Sequence, residues 1–295
     1  MTKHLVLGSR GQVGTYLCDK ITSQNHHELI EWDLTMGYDF NLADIMNYDR
    51  LVSEMLEVDF VHFLAFDVGG SKYLAKHQNS MSYIEGNVAL MQNVFSALQY
   101  AEKPFYFASS QMQNMPESNY GLLKALGERY TSSLGGFNVR LWNAYGYERD
   151  PHKTHVITDF IRSALDTGRI LCRTNGTERR NFTHAKDVAT KLMHIATNSD
   201  EYMAKSPVPI FNNHENSISI RDVAKMVAFE IGDVEVYFSD KKDMSQTVYN
   251  DPYFDEGICQ NLPPQKGLYV EFPMLHMGIT DMVKRIEEGT DLKED

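Results

Sequence analysis

Cysteine is scarce in this chain: Cys18, Cys172 and Cys259 are the only three among 295 residues, and they lack the spacing of a metal site or a disulfide framework. They read as free thiols of a reducing compartment, and no metal site is expected. Long apolar runs are missing as well. Nothing approaches the ~18 consecutive apolar residues of a membrane span, and Met1-Thr2-Lys3-His4 leads straight into a short apolar strand without a signal-like segment. A cytoplasmic protein with no membrane partner is the expectation. Basic clusters are also lacking. The longest is Lys241-Lys242, and a net charge of -12 repels phosphate backbones, which excludes nucleic acid as an expected partner. What remains is an ordinary globular composition, 42% hydrophobic and 23% charged, long enough for one large domain or two modest ones.

The first half of the chain alternates strand-like and helix-like segments. His4–Gly8, Glu28–Trp32, Phe60–Ala65, Pro104–Ser110 and Phe137–Asn143 are short apolar runs, several apolar almost throughout, as parallel strands covered on both faces should be. Between them, Val13, Leu17 and Ile21 share one helical face. Val88, Met91, Phe95 and Leu98 do so within Met81–Tyr100, and Leu122, Leu126 and Tyr130 repeat the pattern after Tyr120. Such alternation predicts βαβ units and a Rossmann-type α/β fold, a doubly wound parallel sheet. Beyond Tyr147 the pattern loosens. Helices are predicted at Val156–Thr167, Asp187–Thr197, Ile220–Ile231 and Ile279–Glu288, with short strands at Ile170–Arg173, Ile210–Asn212 and Val234–Phe238. The expected organisation is a dinucleotide-binding domain over residues 1–146 and a smaller C-terminal α/β lobe for substrate over 147–295, with about 180–200 returning to the first domain. Only the last few residues, TDLKED, read as disordered.

Gly8-Ser9-Arg10-Gly11-Gln12-Val13-Gly14 follows the first strand and opens the first helix. Glycines there allow a tight turn and a close approach of backbone to a pyrophosphate, which then sits on unpaired N–H groups at the helix N-terminus. Glycine also ends strands for local reasons, so the weight lies in the order strand, turn, helix. Asp33 closes the second strand, 19 residues beyond Gly14. A carboxylate at that point accepts hydrogen bonds from ribose hydroxyls and repels a 2′-phosphate, favouring NAD. Arg10 pulls the other way, since its guanidinium can hold that phosphate, and NADP stays open.

Tyr120 and Lys124 stand four residues apart on one helical face. A cation beside the phenol is expected to lower its pKa toward neutrality and make it a usable proton acceptor. Alone the pair reads equally as a surface couple. Here it follows a strand ending in Ser109-Ser110, and a hydroxyl at a strand's carboxyl end lies where open α/β sheets bind ligands.

With these motifs the chain resembles the extended short-chain dehydrogenase/reductase family, the NAD-dependent epimerases and dehydratases of nucleotide sugars. Gly8, Gly11 and Gly14 match its G-x-x-G-x-x-G, Asp59–Ala65 its third strand, and Arg140–Gly146 (RLWNAYG) its R-x-x-N-x-Y-G. The resemblance implies that Asn87 stands at the active-site asparagine, that Asn143 lies on the substrate side, and that Arg180, in GTERRNFTHAKDVA, holds a substrate diphosphate. It also implies that Asp44 approaches the adenine and that Ala65 lines the cofactor cleft. Asp67-Val68-Gly69-Gly70 is similar to a loop of the GDP-mannose 3,5-epimerases and GDP-fucose synthases, placing Gly70 near the sugar. His155, ahead of a helix, matches the segment that carries a catalytic histidine or lysine in those enzymes, and reads otherwise as a plain helix N-terminal residue. A homodimer through Met81–Tyr100 and Tyr120–Leu134 is implied as well.

Two departures shape the expectation. Where 3,5-epimerases carry a proton-moving cysteine and 4,6-dehydratases an acid, this chain has Gln111 and Met112 after Ser110, and neither an amide nor a thioether exchanges a proton. The interval from Ser110 to Tyr120 is also short, ten residues. The first disfavours a dehydratase and weakens a 3,5-epimerase, and the second implies that part of the family's substrate rim is lost. The expected function is therefore hydride transfer at sugar C4 through a 4-keto species, with Tyr120 as the proton carrier, Lys124 holding it and the nicotinamide ribose, and Ser110 on the reacting oxygen. A 3,5-epimerase or epimerase-reductase using His155, and a catalytically silent dinucleotide-binding regulator, are the alternatives.

Overall fold

The computed structural model describes residues 1–115, 117–203, 206–210, 218–240 and 275–287. Cys259, Lys241-Lys242, the end of the predicted Ile210–Asn212 strand, Glu288 and the TDLKED tail lie outside the described residues. The chain forms two compact units, one of Met1–Val68, Lys72–Leu141 and Val188–Ile210, the other of Gly69–Ser71, Trp142–Asp187 and the described part of Phe211–Asp295.

The first unit is built on six parallel strands: β1 (Thr2–Leu7), β2 (His27–Trp32), β3 (Phe60–Phe63), β4 (Phe105–Ser110), β5 (Phe137–Leu141) and β10 (Val208–Ile210), in the order β10-β5-β4-β3-β1-β2. Its helices are α1 (Gln12–Thr22), α2 (Tyr48–Leu56), α3 (Ser71–His77), α4 (Met81–Ala101), α5 (Asn119–Ser133), α7 (Ala185–Thr197) and α8 (Ser199–Met203), the first residues of α3 and α7 belonging to the other unit. β3 and β4 are buried at every position, which is why FVHF and FYFASS read as continuous runs rather than alternations. Phe63 and Phe107 meet edge to face at 5.1 Å, and Phe95 of α4 joins them at 5.2 and 5.8 Å. Each such fully buried side chain contributes about 1.5–3 kcal/mol. From β1 the sheet runs one way to β2 and the other way to β3. The strand order therefore reverses beside β1, and in open α/β sheets the ligand crevice forms at such a switch point.

The helical faces depart from expectation at two places. On α4, Met91, Phe95 and Leu98 are buried, but Val88 is 37% exposed. On α5 the stripe Leu122, Leu126 and Tyr130 points outward, and the buried face is Tyr120, Gly121, Leu123, Lys124, Gly127 and Thr131. Glycine explains the orientation. A Cβ on Gly127 would lie 2.4 Å from the Phe107 ring, and one on Gly121 would lie 2.2 Å from the Met112 carbonyl oxygen. Only a bare face lets α5 seat that closely on β4.

The second unit contains β6 (Ala144–Tyr145), α6 (Val156–Thr167), β7 (Arg169–Cys172), β8 (Arg179–Arg180), β9 (Thr183–His184), β11 (Ile218–Ser219), α9 (Ile220–Ile231), β12 (Glu235–Phe238) and α10 (Leu275–Glu287). Its strands pair two by two: β7 with β12, β8 with β11 and β6 with β9. Helices α6, α9 and α10 enclose a separate core that includes Ile157, Ile161, Ile170, Val223, Val227, Ile279 and Met282. Among the described residues no helix is long and apolar enough to cross a membrane, and no group of three His, Cys, Asp or Glu is placed to hold a metal ion.

Candidate active site

The turn after β1 is made by backbone crowding that only glycine tolerates. Gly8 adopts φ +86°, and a Cβ there would lie 2.8 Å from both the Cα and the nitrogen of Ala65, the residue two beyond β3. A Cβ on Gly14 would lie 2.0 Å from the Gly8 carbonyl oxygen. Gly11 caps α1 without a side-chain hydrogen bond, so the first turn keeps its donors, while Arg10, Gln12 and Val13 are half-buried around it. The Gln12 amide nitrogen is buried without a hydrogen-bond partner among the described residues. Asp33 is tied to the turn: one carboxylate oxygen accepts the Arg10 N–H at 3.0 Å, the other the N–H and hydroxyl of Thr35 at 3.0 and 2.8 Å. Asp44 caps its own short turn, accepting the Met46 N–H at 2.9 Å. A bare cradle, an uncapped helix start and a carboxylate at the end of β2 fit the pyrophosphate and ribose of a dinucleotide.

Ser110 ends β4 and its hydroxyl accepts the Met112 N–H at 3.2 Å, with Tyr120 beside it. The short interval between them is a single-turn helix at Gln111–Asn114 laid directly on α5, with Met112 half-buried against the core. Tyr120 is 8% exposed and meets Phe66 edge to face at 5.9 Å. Phe66 follows Ala65, so the glycine turn and the tyrosine flank the same strand end.

Lys124 corrects one expectation. Its Nζ donates to the Ala108 carbonyl oxygen at 2.7 Å and lies 3.7 Å over the Phe66 ring, 5.9 Å from the centre of the Tyr120 ring. The phenol is not drawn toward neutrality. Burial pushes Tyr120 up to about 12, with the Ser110 hydrogen bond opposing, and burial pulls Lys124 down to about 7 against the charge of Glu128. Desolvation outweighs the pairing because the ammonium is spent on a carbonyl rather than on the phenol oxygen.

Glu128 was not singled out by the sequence. It accepts the Ser109 hydroxyl at 2.6 Å and holds Arg140 through both oxygens at 2.8 Å, a buried two-point pair under the serine strand. The four-residue repeat Tyr120, Lys124, Glu128 is the signal that reveals it. Asn87 is fully buried. Its Oδ1 accepts the Asp67 N–H at 2.9 Å and its Nδ2 donates to the Tyr83 carbonyl at 3.1 Å, so in this structure it pins the chain at Asp67. Tyr73 donates to both Asp67 oxygens at 2.8 and 3.0 Å.

Gly70, Asn143, His155 and Arg180 belong to the second unit. Gly70 donates its N–H to the Lys153 carbonyl at 2.9 Å, and a Cβ on it would stand 2.1 Å from the Thr154 carbonyl oxygen, so Gly70 and His155 share one tightly packed segment. His155 precedes α6 and is bound by Glu148, a partner the sequence reading did not name. Asn143 takes φ +36° and its carbonyl accepts the Thr183 N–H at 3.2 Å. Arg180 is half-buried on β8, opposite Ile218 of β11.

A parallel sheet with a glycine turn at its switch point, and Ser110, Tyr120 and Lys124 around the neighbouring strand end, defines a Rossmann-type protein of the extended short-chain dehydrogenase/reductase class. Residues 4–208 match the NAD dependent epimerase/dehydratase family, and the chain belongs to it. It is similar to GDP-L-fucose synthase of Escherichia coli (strain K12), 26% identical over 268 residues, covering 77% of this chain and 80% of that protein. UDP-glucuronic acid decarboxylase 1 of Xenopus tropicalis is 21% identical over 247 residues, 72% of this chain, and the match spans 57% of the decarboxylase's length. The fold is shared with a GDP-L-fucose synthetase from Naegleria fowleri bound to NADP, at a TM-score of 0.77 and 16% identity, covering 100% of this chain and 95% of that one.

Proposed function

We propose that this chain is an NAD(P)-dependent enzyme that acts on a nucleotide-linked sugar by hydride transfer at C4 through a 4-keto species, as an epimerase or an oxidoreductase. The observation that carries this reading is the convergence of Ser110, Tyr120 and Lys124 at the carboxyl edge of the sheet, next to the Gly8 turn. When bound, the nicotinamide dinucleotide supplies the hydride acceptor or donor. Gly8, Arg10, Gly11, Gln12, Val13 and Gly14 would hold its pyrophosphate, Asp33 its ribose, and Asp44 and Ala65 the adenine side and the cleft wall. Asp33 favours NAD and Arg10 leaves NADP open.

The chain's own groups handle the proton. Tyr120 keeps its hydrogen at neutral pH, the form that donates to a carbonyl oxygen as it is reduced, and it takes the proton back in the reverse direction. Ser110 donates to the same oxygen. Lys124, near its own titration point at about 7, adjusts the charge beside Tyr120. Asn87 positions the Asp67 loop, and Gly70, Asn143 and Arg180 serve the sugar and its diphosphate. GDP-L-fucose and UDP-glucuronic acid in the names of the relatives support a nucleotide sugar as the substrate class.

A second copy of this chain is the proposed occupant of the outward apolar stripe on α4 and α5, where Val88, Leu122, Leu126 and Tyr130 are 37–48% exposed. The test of the activity is direct. Purified protein is mixed with GDP-, UDP- and dTDP-linked sugars, their 4-keto forms and either dinucleotide, and the reduced nicotinamide is followed by absorbance. Net change marks an oxidoreductase, and interconversion without net change marks a 4-epimerase. No turnover of any nucleotide sugar overturns the reading in favour of a silent dinucleotide binder.

A further inference from the structure

We propose that Gln78, at the end of α3, is a positioning residue for Tyr120: from outside the helix it caps the first turn of α5 and fixes where the phenol stands beside Ser110. The inference rests on the functional reading above and adds to it a residue on another element, with the bonds through which it acts.

The start of α5 has a need that its own sequence meets only in part. A helix leaves its first N–H groups without intrahelical partners, and its first turn frays unless they are capped. Tyr120 is the second residue of α5, so the side chain assigned to the proton sits in the turn least able to hold itself. Ser118 is the N-cap, and its hydroxyl oxygen accepts the Gly121 N–H at 3.2 Å. The Tyr120 N–H needs a different acceptor, and Gln78 supplies it. Its Oε1 accepts the Ser118 hydroxyl at 2.9 Å and the Tyr120 N–H at 3.4 Å. A backbone N–H can only donate, so the amide oxygen and not the nitrogen faces the helix.

Further bonds repeat the attachment. Asn119 Nδ2 donates to the Gln78 carbonyl at 3.2 Å and to Asn79 Oδ1 at 2.9 Å. Ser118, Asn119 and Tyr120 are thus bonded in succession to Gln78 and its neighbour. Ser118 is 4% exposed and Tyr120 8%, so water does not stand in for these partners. Gln78 is anchored in turn. Its N–H donates to the Leu74 carbonyl at 3.0 Å and closes α3, and Tyr73 in the first turn of α3 holds Asp67 by two bonds.

The later turns of α5 have ties of their own. Lys124 is bonded to Ala108, and Glu128 to Ser109 and Arg140, all from the sheet. The first turn is tied instead to α3. The short interval after Ser110 makes that tie matter, because the Met112 carbonyl oxygen would lie 2.2 Å from a Cβ on Gly121 and crowds the same turn. A catalytic group misplaced by ~1 Å loses up to ~100-fold in rate. Loss of one cap lets the turn fray for part of the time, so a smaller effect is expected.

The experiment compares the full chain with Gln78→Leu, which keeps the bulk and removes the acceptor, and Gln78→Glu, which keeps an acceptor at the same reach. Hydrogen exchange at the Tyr120 amide, followed by NMR, is expected to be roughly tenfold faster in Gln78→Leu and to return to within about twofold of wild type in Gln78→Glu. With a nucleotide sugar that the wild type turns over, kcat is expected to fall roughly tenfold in Gln78→Leu and to recover in Gln78→Glu, with KM and dinucleotide affinity within about twofold throughout. A merely structural residue would lower the folded fraction without this split or its rescue. Unchanged Tyr120 exchange in Gln78→Leu overturns the cap, and faster exchange with unchanged kcat overturns the positioning role. If Gln78→Leu does not fold, Asn119→Ala removes the flanking bonds at a half-buried position and is read the same way, unchanged exchange or unchanged kcat overturning the proposal. Faster exchange in a chain that turns over no nucleotide sugar leaves the contact standing and removes the functional reading instead.

Discussion

Lys124 Nζ donates to the carbonyl oxygen of Ala108 at 2.7 Å, a bond that holds a buried ammonium against the backbone of β4. Its pKa falls from 10.5 to about 7 because burial penalises the charge. In the unfolded chain the lysine stays protonated to higher pH. Between about 7 and 10.5 the unfolded state therefore binds more protons, and stability rises with pH. Below that window both states are charged and the full cost of burial is present. Lys124→Met, which keeps the length and removes the charge, is expected to be more stable than wild type by about 1–4 kcal/mol at pH near 6, the gap closing toward pH ~10. Urea denaturation at several pH values checks this. Turnover should be lost in the same variant, since the group beside Tyr120 is gone.

The glycine turn makes a sharper demand. A Cβ on Gly14 would stand 2.0 Å from the Gly8 carbonyl oxygen and 2.8 Å from that of Ser9, so α1 must shift away from β1 to admit it. Gly14→Ala is expected to cost about 1–3 kcal/mol in stability. Dinucleotide affinity should fall at least ~10-fold, because the first-turn N–H groups move off the cradle. Titration calorimetry with NAD and NADP reads both the loss and the preference between them. Wild-type affinity retained by the variant contradicts the proposed pyrophosphate site.

Much of the first unit was legible because strand–helix alternation is a local pattern. His4–Gly8, Pro104–Ser110 and Met81–Tyr100 lie within a few residues of β1, β4 and α4, and Val156–Thr167 and Ile220–Ile231 coincide with α6 and α9. What escaped were properties of closure. Periodicity shows that Leu122, Leu126 and Tyr130 share a face, but not that Gly121 and Gly127 turn the opposite face inward. Spacing places Lys124 beside Tyr120, but the carbonyl of Ala108, which takes the ammonium, comes from another strand. Glu148 escaped for the same reason. A carboxylate seven residues before His155 becomes a partner only when the loop between them folds back.

The outward stripe carries its own test. Tyr130 of α5 stacks on Phe95 of α4 at 5.1 Å, so the two helices present one continuous surface to which Val88, Leu122 and Leu126 contribute. Leu126 is 41% exposed, and a charge there costs the monomer little. Leu126→Glu is expected to leave stability within about 0.5 kcal/mol while shifting the protein from dimer to monomer in sedimentation equilibrium. A wild type that sediments as a monomer ends the proposal of a second copy on this face.

Across the sheet of the first unit runs a row of hydrogen-bonded rings: Tyr106 to His62 at 2.8 Å, His62 to His4 at 2.9 Å, and His4 to His27 at 2.9 Å. The four residues come from β4, β3, β1 and β2, and only His27 approaches the surface. With the Tyr106 hydroxyl donating inward, each neutral ring passes its one hydrogen to the next, and every facing atom is satisfied. An added proton sets two N–H groups against each other. Burial accordingly lowers His4 to about 4, helped by His27 and opposed by Asp59, and burial with the neighbouring His4 holds His62 well below its ordinary value. Unfolded histidines take up protons near 6.5, so between that value and about 4 the unfolded state binds more protons. Stability is complete above about 6.5 and is lost as the pH falls through this window. From pH 7 to pH 5, His4 alone is expected to remove about 2 kcal/mol. His26, beside His27 at the exposed end with ring centres 4.8 Å apart, adds repulsion there. His4→Gln should start less stable at neutral pH, because the row is broken, yet decline less steeply on acidification. Parallel slopes for the variant and the wild type in urea denaturation from pH 7 to pH 5 would mean that the row does not govern acid stability.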